Sequence, residues 1–245
     1  YESFYGLRER PFELTPNPRF LFLTARHREA LSNLRYGLST PRGITLLVGD
    51  AGTGKTTLLR AALALEQRVA VRHVLLDNPT LTRAEFYEYL AVGFRLSAEA
   101  ARSKARFLIE LRRDVQERHA NGGVSALIID EAQSLPYELL EEVRLLANIE
   151  TATAKLLNVV LSGQPELADR LNESALRQLK QRVALRCDLG PLGIRETAAY
   201  IAGRLRIAGG EQVDEIFTRD AVVAIHRLSR GIPRTISVVC ENALI

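Results

Sequence analysis

The chain is poor in several features that mark whole protein classes. It has two cysteines among its 245 residues, Cys187 and Cys240, and neither has metal-ligand spacing around it. They read as small buried apolar side chains of a reducing compartment, with a catalytic thiol as the weaker reading. No apolar run approaches the ~18 residues of a membrane span. The opening YESFYGLRERPF lacks the charged-then-apolar order of a signal peptide. Internal repeats and low-complexity segments are absent. Lysine is scarce, occurring only as Lys55, Lys104, Lys155 and Lys180, so most basic residues are arginine. The 33 basic and 29 acidic residues leave a net +4, which permits a nucleic-acid partner without indicating one. The chain starts without Met and stops at CENALI inside a helical pattern, as a piece of a longer protein would.

What is present is ordinary globular material, 47% hydrophobic and 25% charged. The length allows one large domain, or a core with a smaller appendage. Val-, Ile- and Leu-rich runs at 43–48, 69–76, 124–130, 156–163 and 183–189 predict strands covered on both faces. Helical patterns lie near 54–66, 82–93, 99–119, 136–148 and 173–181, which makes the alternation that of an α/β domain with a parallel sheet. Pro136 stands at an early helical position, where its missing N–H costs little. After DLGPLG at 188–193 strand signals stop, and helices near 194–208, 218–229 and 233–244 follow. A small all-helical domain is expected from about residue 193.

GDAGTGKTT at 49–57 fits G-x-x-x-x-G-K-[ST] through Gly49, Gly54, Lys55 and Thr56. Between and beside them stand Asp50, Ala51, Gly52, Thr53 and Thr57. Such a loop wraps phosphates and turns its N–H groups toward them. Lys55 would pair with the β- and γ-phosphates, and the Thr56 hydroxyl would take one Mg²⁺ position. The following helix aims the positive end of its dipole at the same anion. Nucleotide binding is the expectation.

Hydrolysis needs more, and ALIIDE at 126–131 supplies it: a buried strand ending in two carboxylates. Open α/β sheets bind ligands at the carboxyl ends of their strands. Asp130 suits a Mg²⁺ position, directly or through water. Glu131, on the other side of the strand, would polarise the attacking water. Asn78 in DNP has two readings: a hydrogen bond that holds Glu131 unproductive, or an Asx-Pro turn.

These residues resemble the AAA+ ATPases, within the additional-strand, catalytic-Glu branch of P-loop proteins. The resemblance implies a three-layer αβα fold with a five-stranded parallel sheet and a helical lid. It divides the chain into a leader at 1–42 packed near the nucleotide site, a core at 43–192 and a lid at 193–245. It implies that Gln164 in VVLSGQPEL senses the γ-phosphate, with Ser162 as second choice. Arg182 in LRQLKQRVALR is matched to the arginine finger that reaches a neighbouring subunit's ATP, with Arg177 as competitor. GIPRTISVV at 231–239 looks like the second sensor motif, Gly231 and Pro233 setting the turn and Arg234 facing the phosphates.

The leader pattern FYGL…PF…P.P…H.EAL…L.YG, together with IIDEAQ and LSGQPEL, resembles ATPases of the ExeA/GspA type from bacterial secretion and envelope systems. By that analogy Tyr5, Gly6 and Leu7 line the adenine end of the pocket; the other reading packs Phe4, Tyr5, Leu7 and Phe12 on the sheet. The resemblance implies ATP/ADP and Mg²⁺ as cofactors, an ATP-dependent homo-oligomer, membrane or envelope partners, and a cytoplasmic location. The transposition ATPases of the TnsC/TniB type share the architecture and leave DNA open as a partner. A duplex would need basic surface from Arg95, Arg102, Lys104, Arg106, Arg112 and Arg113, of which Arg102 and Arg106 are expected on one helical face. A third reading, an ATP-binding switch that scarcely turns over, is disfavoured by Glu131 and Arg182.

Overall fold

The computed structural model describes residues 1–14, 18–40, 43–65, 71–77 and 79–245. Its strands are β1 (Ile44–Gly49), β2 (Val71–Leu76), β3 (Val124–Ile129), β4 (Leu157–Gly163) and β5 (Val183–Leu189). They form one parallel sheet in the order β2-β3-β4-β1-β5. The helices of four residues or more are α1 (Ala25–Ser39), α2 (Lys55–Leu65), α3 (Arg83–Gly93), α4 (Ala98–Arg102), α5 (Lys104–Ala120), α6 (Tyr137–Leu146), α7 (Pro165–Leu171) and α8 (Arg177–Lys180). They continue as α9 (Ile194–Ile207), α10 (Val213–Ile216), α11 (Arg219–Ser229) and α12 (Pro233–Leu244). The α/β class and the helical C-terminal region are those expected from the apolar runs.

The chain clusters into two compact units, and α1 and α2 each run from one into the other. The sheet unit comprises Glu29–Gly49 and Ala62–Asp188. Its inner strands are mostly apolar because helices cover both faces; β1 and β4 are buried at every residue. Register pairs Leu47 with Ser162 and Val48 with Gly163, so β1 and β4 end side by side. β3 pairs with β4 from Ser125↔Leu157 to Ile129↔Leu161. Phe86, Phe94 and Phe107 are wholly buried in this core with Leu127, Leu140 and Leu161. Each such side chain contributes about 1.5–3 kcal/mol of burial.

Two expectations fail in this unit. The helix predicted over 99–119 is two helices, α4 and α5, because Ser103 is extended and caps α5 by accepting the Arg106 N–H. Arg102 closes α4 while Arg106 lies in α5, so they do not share a helical face. The stretch 173–181 is a 3₁₀ turn followed by the single turn of α8.

The helical unit comprises Tyr1–Arg28, Asp50–Ala61 and Leu189–Ile245. Its core joins Leu7, Phe12 and Phe20 from the leader to Leu192, Tyr200, Ile201, Leu205, Ile236 and Cys240. The leader therefore packs Leu7 and Phe12 among the C-terminal helices, where the second reading had placed them on the sheet; Phe4 is exposed. The reason is a set of aromatic and polar latches. Arg204 donates to Tyr200 Oη (2.6 Å), Ser237 Oγ (3.1 Å) and the Glu13 carbonyl (3.2 Å), and its guanidinium lies 4.9 Å from the Phe20 ring centroid. Arg8 N–H donates to the Ala208 carbonyl at 2.7 Å. Both cysteines are free and buried. Burial pushes the Cys187 thiol up and the Cys240 thiol up to about 12, against a nucleophilic role.

Candidate functional site

The phosphate-loop motif begins at Gly49, the last residue of β1, and ends in the first turn of α2. Gly52 and Gly54 have φ of +81° and +98°, the left-handed region that glycine alone enters freely. The Asp50 carbonyl accepts three donors: Thr53 N–H (3.3 Å), Thr53 Oγ1 (2.8 Å) and Lys55 Nζ (3.2 Å). Lys55 and Thr53 are buried, whereas Asp50 and Ala51 are exposed and Thr56 and Thr57 half-buried.

Two further parts of the helical unit grip this loop. Arg234 N–H donates to the Gly52 carbonyl at 3.2 Å from the first turn of α12, while the Arg234 side chain is exposed. A Cβ at Gly52 would meet Arg234 Cβ at 2.7 Å and Ile232 Cγ2 at 3.1 Å, so this approach also requires glycine. Pro233 supplies the start of α12, and Gly231 (φ +75°) the turn before it. From α1, His27 sets Nε2 3.2 Å from the Thr53 carbonyl oxygen. In the same unit Thr24, Arg26, Pro191, Leu192 and Glu196, with Gly190 and Gly193, line a cavity of about 310 Å³. Of the leader residues assigned to the adenine end, Leu7 is buried in the core that includes Leu192, and Gly6 turns at φ +66°. Tyr5 is half-buried, its ring edge-on to Phe4 at 4.9 Å.

In the sheet unit the two carboxylates stand beyond the end of β3. Asp130 is buried; its N–H bonds the Leu76 carbonyl, and its Oδ1 accepts Ser162 Oγ at 2.7 Å and Glu131 N–H at 3.1 Å. Glu131 has φ +50°, an uncommon conformation for a side chain with a Cβ, and strained backbone of this kind clusters at functional sites. Its Oε2 accepts Gln133 Nε2 at 2.6 Å and Gln164 Nε2 at 3.3 Å. Gln133 Oε1 accepts the Gln164 N–H at 3.1 Å, and Arg170 Nη1 holds the Gln133 carbonyl at 2.5 Å. A Cβ at Gly163 would come 2.7 Å from Gln133 Oε1, so glycine there makes room for the amide.

Of the two sensor candidates, then, Gln164 meets Glu131 and Ser162 meets Asp130. Asn78 lies outside the described residues. Arg182 is half-buried, and its Nε is buried without a hydrogen-bond partner among the described residues; Arg177 is exposed on α8. Gln133 and His27 stand in the motifs IIDEAQ and H.EAL, which assign them no role. Each has one partner close in the chain, Glu131 and Thr24, but the contacts with Gln164 and with Thr53 come from other segments.

Among the described residues no group of three or more His, Cys, Asp or Glu could hold a metal unaided. The Thr56 hydroxyl and the Asp130 carboxylate are hard oxygen donors. Each by itself is a ligand of the kind Mg²⁺ takes, since that ion uses one or two protein oxygens and completes its shell with phosphates and water.

A G-x-x-x-x-G-K-T loop after β1, an acidic pair after β3, and β4 between those strands define a protein of the P-loop nucleotide-binding class. The chain belongs to the AAA ATPase family, whose AAA domain matches residues 38–171. It is similar to general secretion pathway protein A of Aeromonas hydrophila, 43% identical over 100% of this chain and 44% of that protein. The chain thus spans less than half the length of that relative. Two solved structures share the fold. Cdc6p from Pyrobaculum aerophilum has a TM-score of 0.69 and 18% identity over 96% of this chain and 64% of its own. The Aeropyrum pernix ORC2 protein, solved in ADPNP–ADP complexes, has a TM-score of 0.63 and 16% identity over 96% and 70%.

Proposed function

We propose that this protein hydrolyses ATP through Glu131 and uses the energy to drive or switch a bacterial secretion or envelope-assembly complex. The observation that carries the hydrolytic reading is the seat of Glu131. Its carboxylate is held at the end of β3 by the amides of Gln133 and Gln164, beyond a strand that also ends in Asp130. In this reading the loop N–H groups and Lys55 bind the phosphates, and Arg234 reads them from α12. The base lies toward the cavity at Thr24 and Leu192, backed by the leader residues Tyr5, Gly6 and Leu7. Thr56 and Asp130 are the protein oxygens for Mg²⁺, which neutralises phosphate charge when bound. Water attacks the γ-phosphorus as Glu131 draws off its proton, and the bond to the bridging oxygen breaks to leave ADP and phosphate. Gln164 reports the γ-phosphate to Glu131.

The secretion role rests on the 43% identity to general secretion pathway protein A, which extends across the whole chain. Partners at the membrane and a cytoplasmic site of action follow from the same relationship. A duplex-binding role has less support: Lys104 is paired with Glu142 and Arg106 with Glu99, which uses up part of the basic surface it needs. Among the described residues no helix is long and apolar enough to cross a membrane.

The test is a pair of variants assayed for ATP binding and phosphate release. Glu131→Gln should retain ATP and lose turnover by about 10²-fold or more. Lys55→Ala should lose nucleotide affinity. Unchanged turnover in Glu131→Gln would remove Glu131 from its role.

A further inference from the structure

His27 has no part in the chemistry above, yet it is buried against the phosphate loop inside the helical unit. Its Nε2 faces the Thr53 carbonyl oxygen at 3.2 Å, and its Nδ1 faces Thr24 Oγ1 at 2.7 Å. A carbonyl oxygen only accepts, so Nε2 carries the hydrogen. Nδ1 then faces the Thr24 hydroxyl, which can donate to a lone pair there. The Thr24 oxygen in turn accepts the His27 N–H at 3.3 Å, fixing the ring at the start of α1. Thr24, His27 and Thr53 are 7%, 6% and 0% exposed, so the chain of hydrogen bonds is sheltered from water.

In a trans peptide the C=O and the following N–H point in opposite directions. The Thr53 carbonyl turned toward the imidazole therefore turns the Gly54 N–H away from it. Gly54 has φ +98°, and a Cβ there would stand 3.9 Å from His27 Nε2, so the ring lies along the back of this peptide. N–H groups of such a loop are the phosphate ligands. We propose that His27 is a positioning residue of the nucleotide site, locking the Thr53–Gly54 peptide so that the Gly54 N–H is presented to the phosphates. The Thr53 carbonyl selects the Nε2–H tautomer, and Thr24 holds the ring in place. The proposal rests on the reading of residues 49–56 as the ATP loop.

Two measurements test it. Side-chain ¹⁵N NMR, with the His27 signals assigned by difference against His27→Gln, should find the hydrogen on Nε2, protected from exchange and shifted by ADP. A hydrogen on Nδ1, or an Nε2 signal indifferent to ADP, overturns the proposal. In titrations with fluorescent ADP, His27→Leu should weaken affinity about tenfold. His27→Gln, whose amide can still donate to the Thr53 carbonyl, should stay within about threefold of the unmutated protein. Wild-type affinity in His27→Leu, or equal losses in both variants with native circular dichroism, also overturns it. Should His27→Leu not fold, the NMR result on the unmutated protein decides. Lys55→Ala separates the two levels. If the unmutated protein binds ADP and Lys55→Ala does not, an inert His27→Leu sinks the His27 assignment alone. If the unmutated protein binds no ADP, the nucleotide reading falls and this proposal with it.

Discussion

Gly231 meets two demands at one position. Its φ of +75° lies where an L side chain is strained, and a Cβ there would run into the backbone of Leu192. Its carbonyl also accepts the Leu192 N–H at 2.8 Å, tying the segment before α9 to the turn before α12. Gly231→Ala should therefore cost about 2–4 kcal/mol. Scanning calorimetry should show the melting midpoint of the protein roughly 4–16 °C lower; an unchanged midpoint would mean that the turn relaxes freely. At this scale legibility follows conformation. Gly49, Gly54, Lys55 and Thr56 could be read because a phosphate-wrapping backbone admits few residue types. Gln133 and His27 could not, because an amide and an imidazole serve equally well as surface groups. Only the fold brings Thr53 to His27 and Gln164 to Gln133.

The helices α3, α5 and α6 meet at a buried charge, Glu142. It is 2% exposed and receives Tyr87 Oη, Arg83 and Lys104 Nζ, the last at 2.8 Å to each oxygen. Burial pushes this carboxyl up, but the Lys104 and Tyr87 hydrogen bonds and the Lys104 and Arg83 charges together hold it below the usual carboxylate range. A depressed folded value means that stability is present above the unfolded value of about 4.3 and lost as pH falls through the folded one. Glu142→Gln should thus cost about 1–3 kcal/mol at neutral pH, with the gap from the unmutated protein closing in acid. Urea midpoints at pH 7 and near pH 4 check this; a gap independent of pH would show that the charge is immaterial. The strands were legible as elements because burial on both faces leaves little but Val, Ile and Leu. The break at Ser103 was missed because a serine inside a helical pattern and a serine that caps a new helix look alike. Helix α7 has only the seven residues PELADRL, too few for a period, and α1 was read as leader signature although Ala30, Leu31, Leu34 and Leu38 already carry a buried stripe.

For the whole molecule, the resemblance to AAA+ ATPases implies an arginine supplied by a neighbouring subunit, and turnover would then depend on assembly. Arg177 is exposed and Arg182 half-buried with a sequestered Nε, so single substitutions separate them. The residue acting in trans, when changed to Ala, should lower turnover about 10³-fold while ATP affinity holds. Specific activity of the unmutated protein should rise with its concentration. Flat activity across a hundredfold dilution series would set the shared site aside. The helical C-terminal region was legible as a change of pattern near residue 192, but not the company it keeps. Leu7, Phe12 and Phe20 share one core with it, supported by contacts such as Arg204 to Glu13, 191 residues apart. That separation sets a schedule for synthesis. At ~5–20 residues per second, a ribosome needs roughly 10–40 s to travel from Glu13 to Arg204. Phe12 and Phe20 emerge long before their partners, and the sheet's strands are all made in between. A chaperone that shelters this nascent segment would have its greatest effect on the protein during that interval.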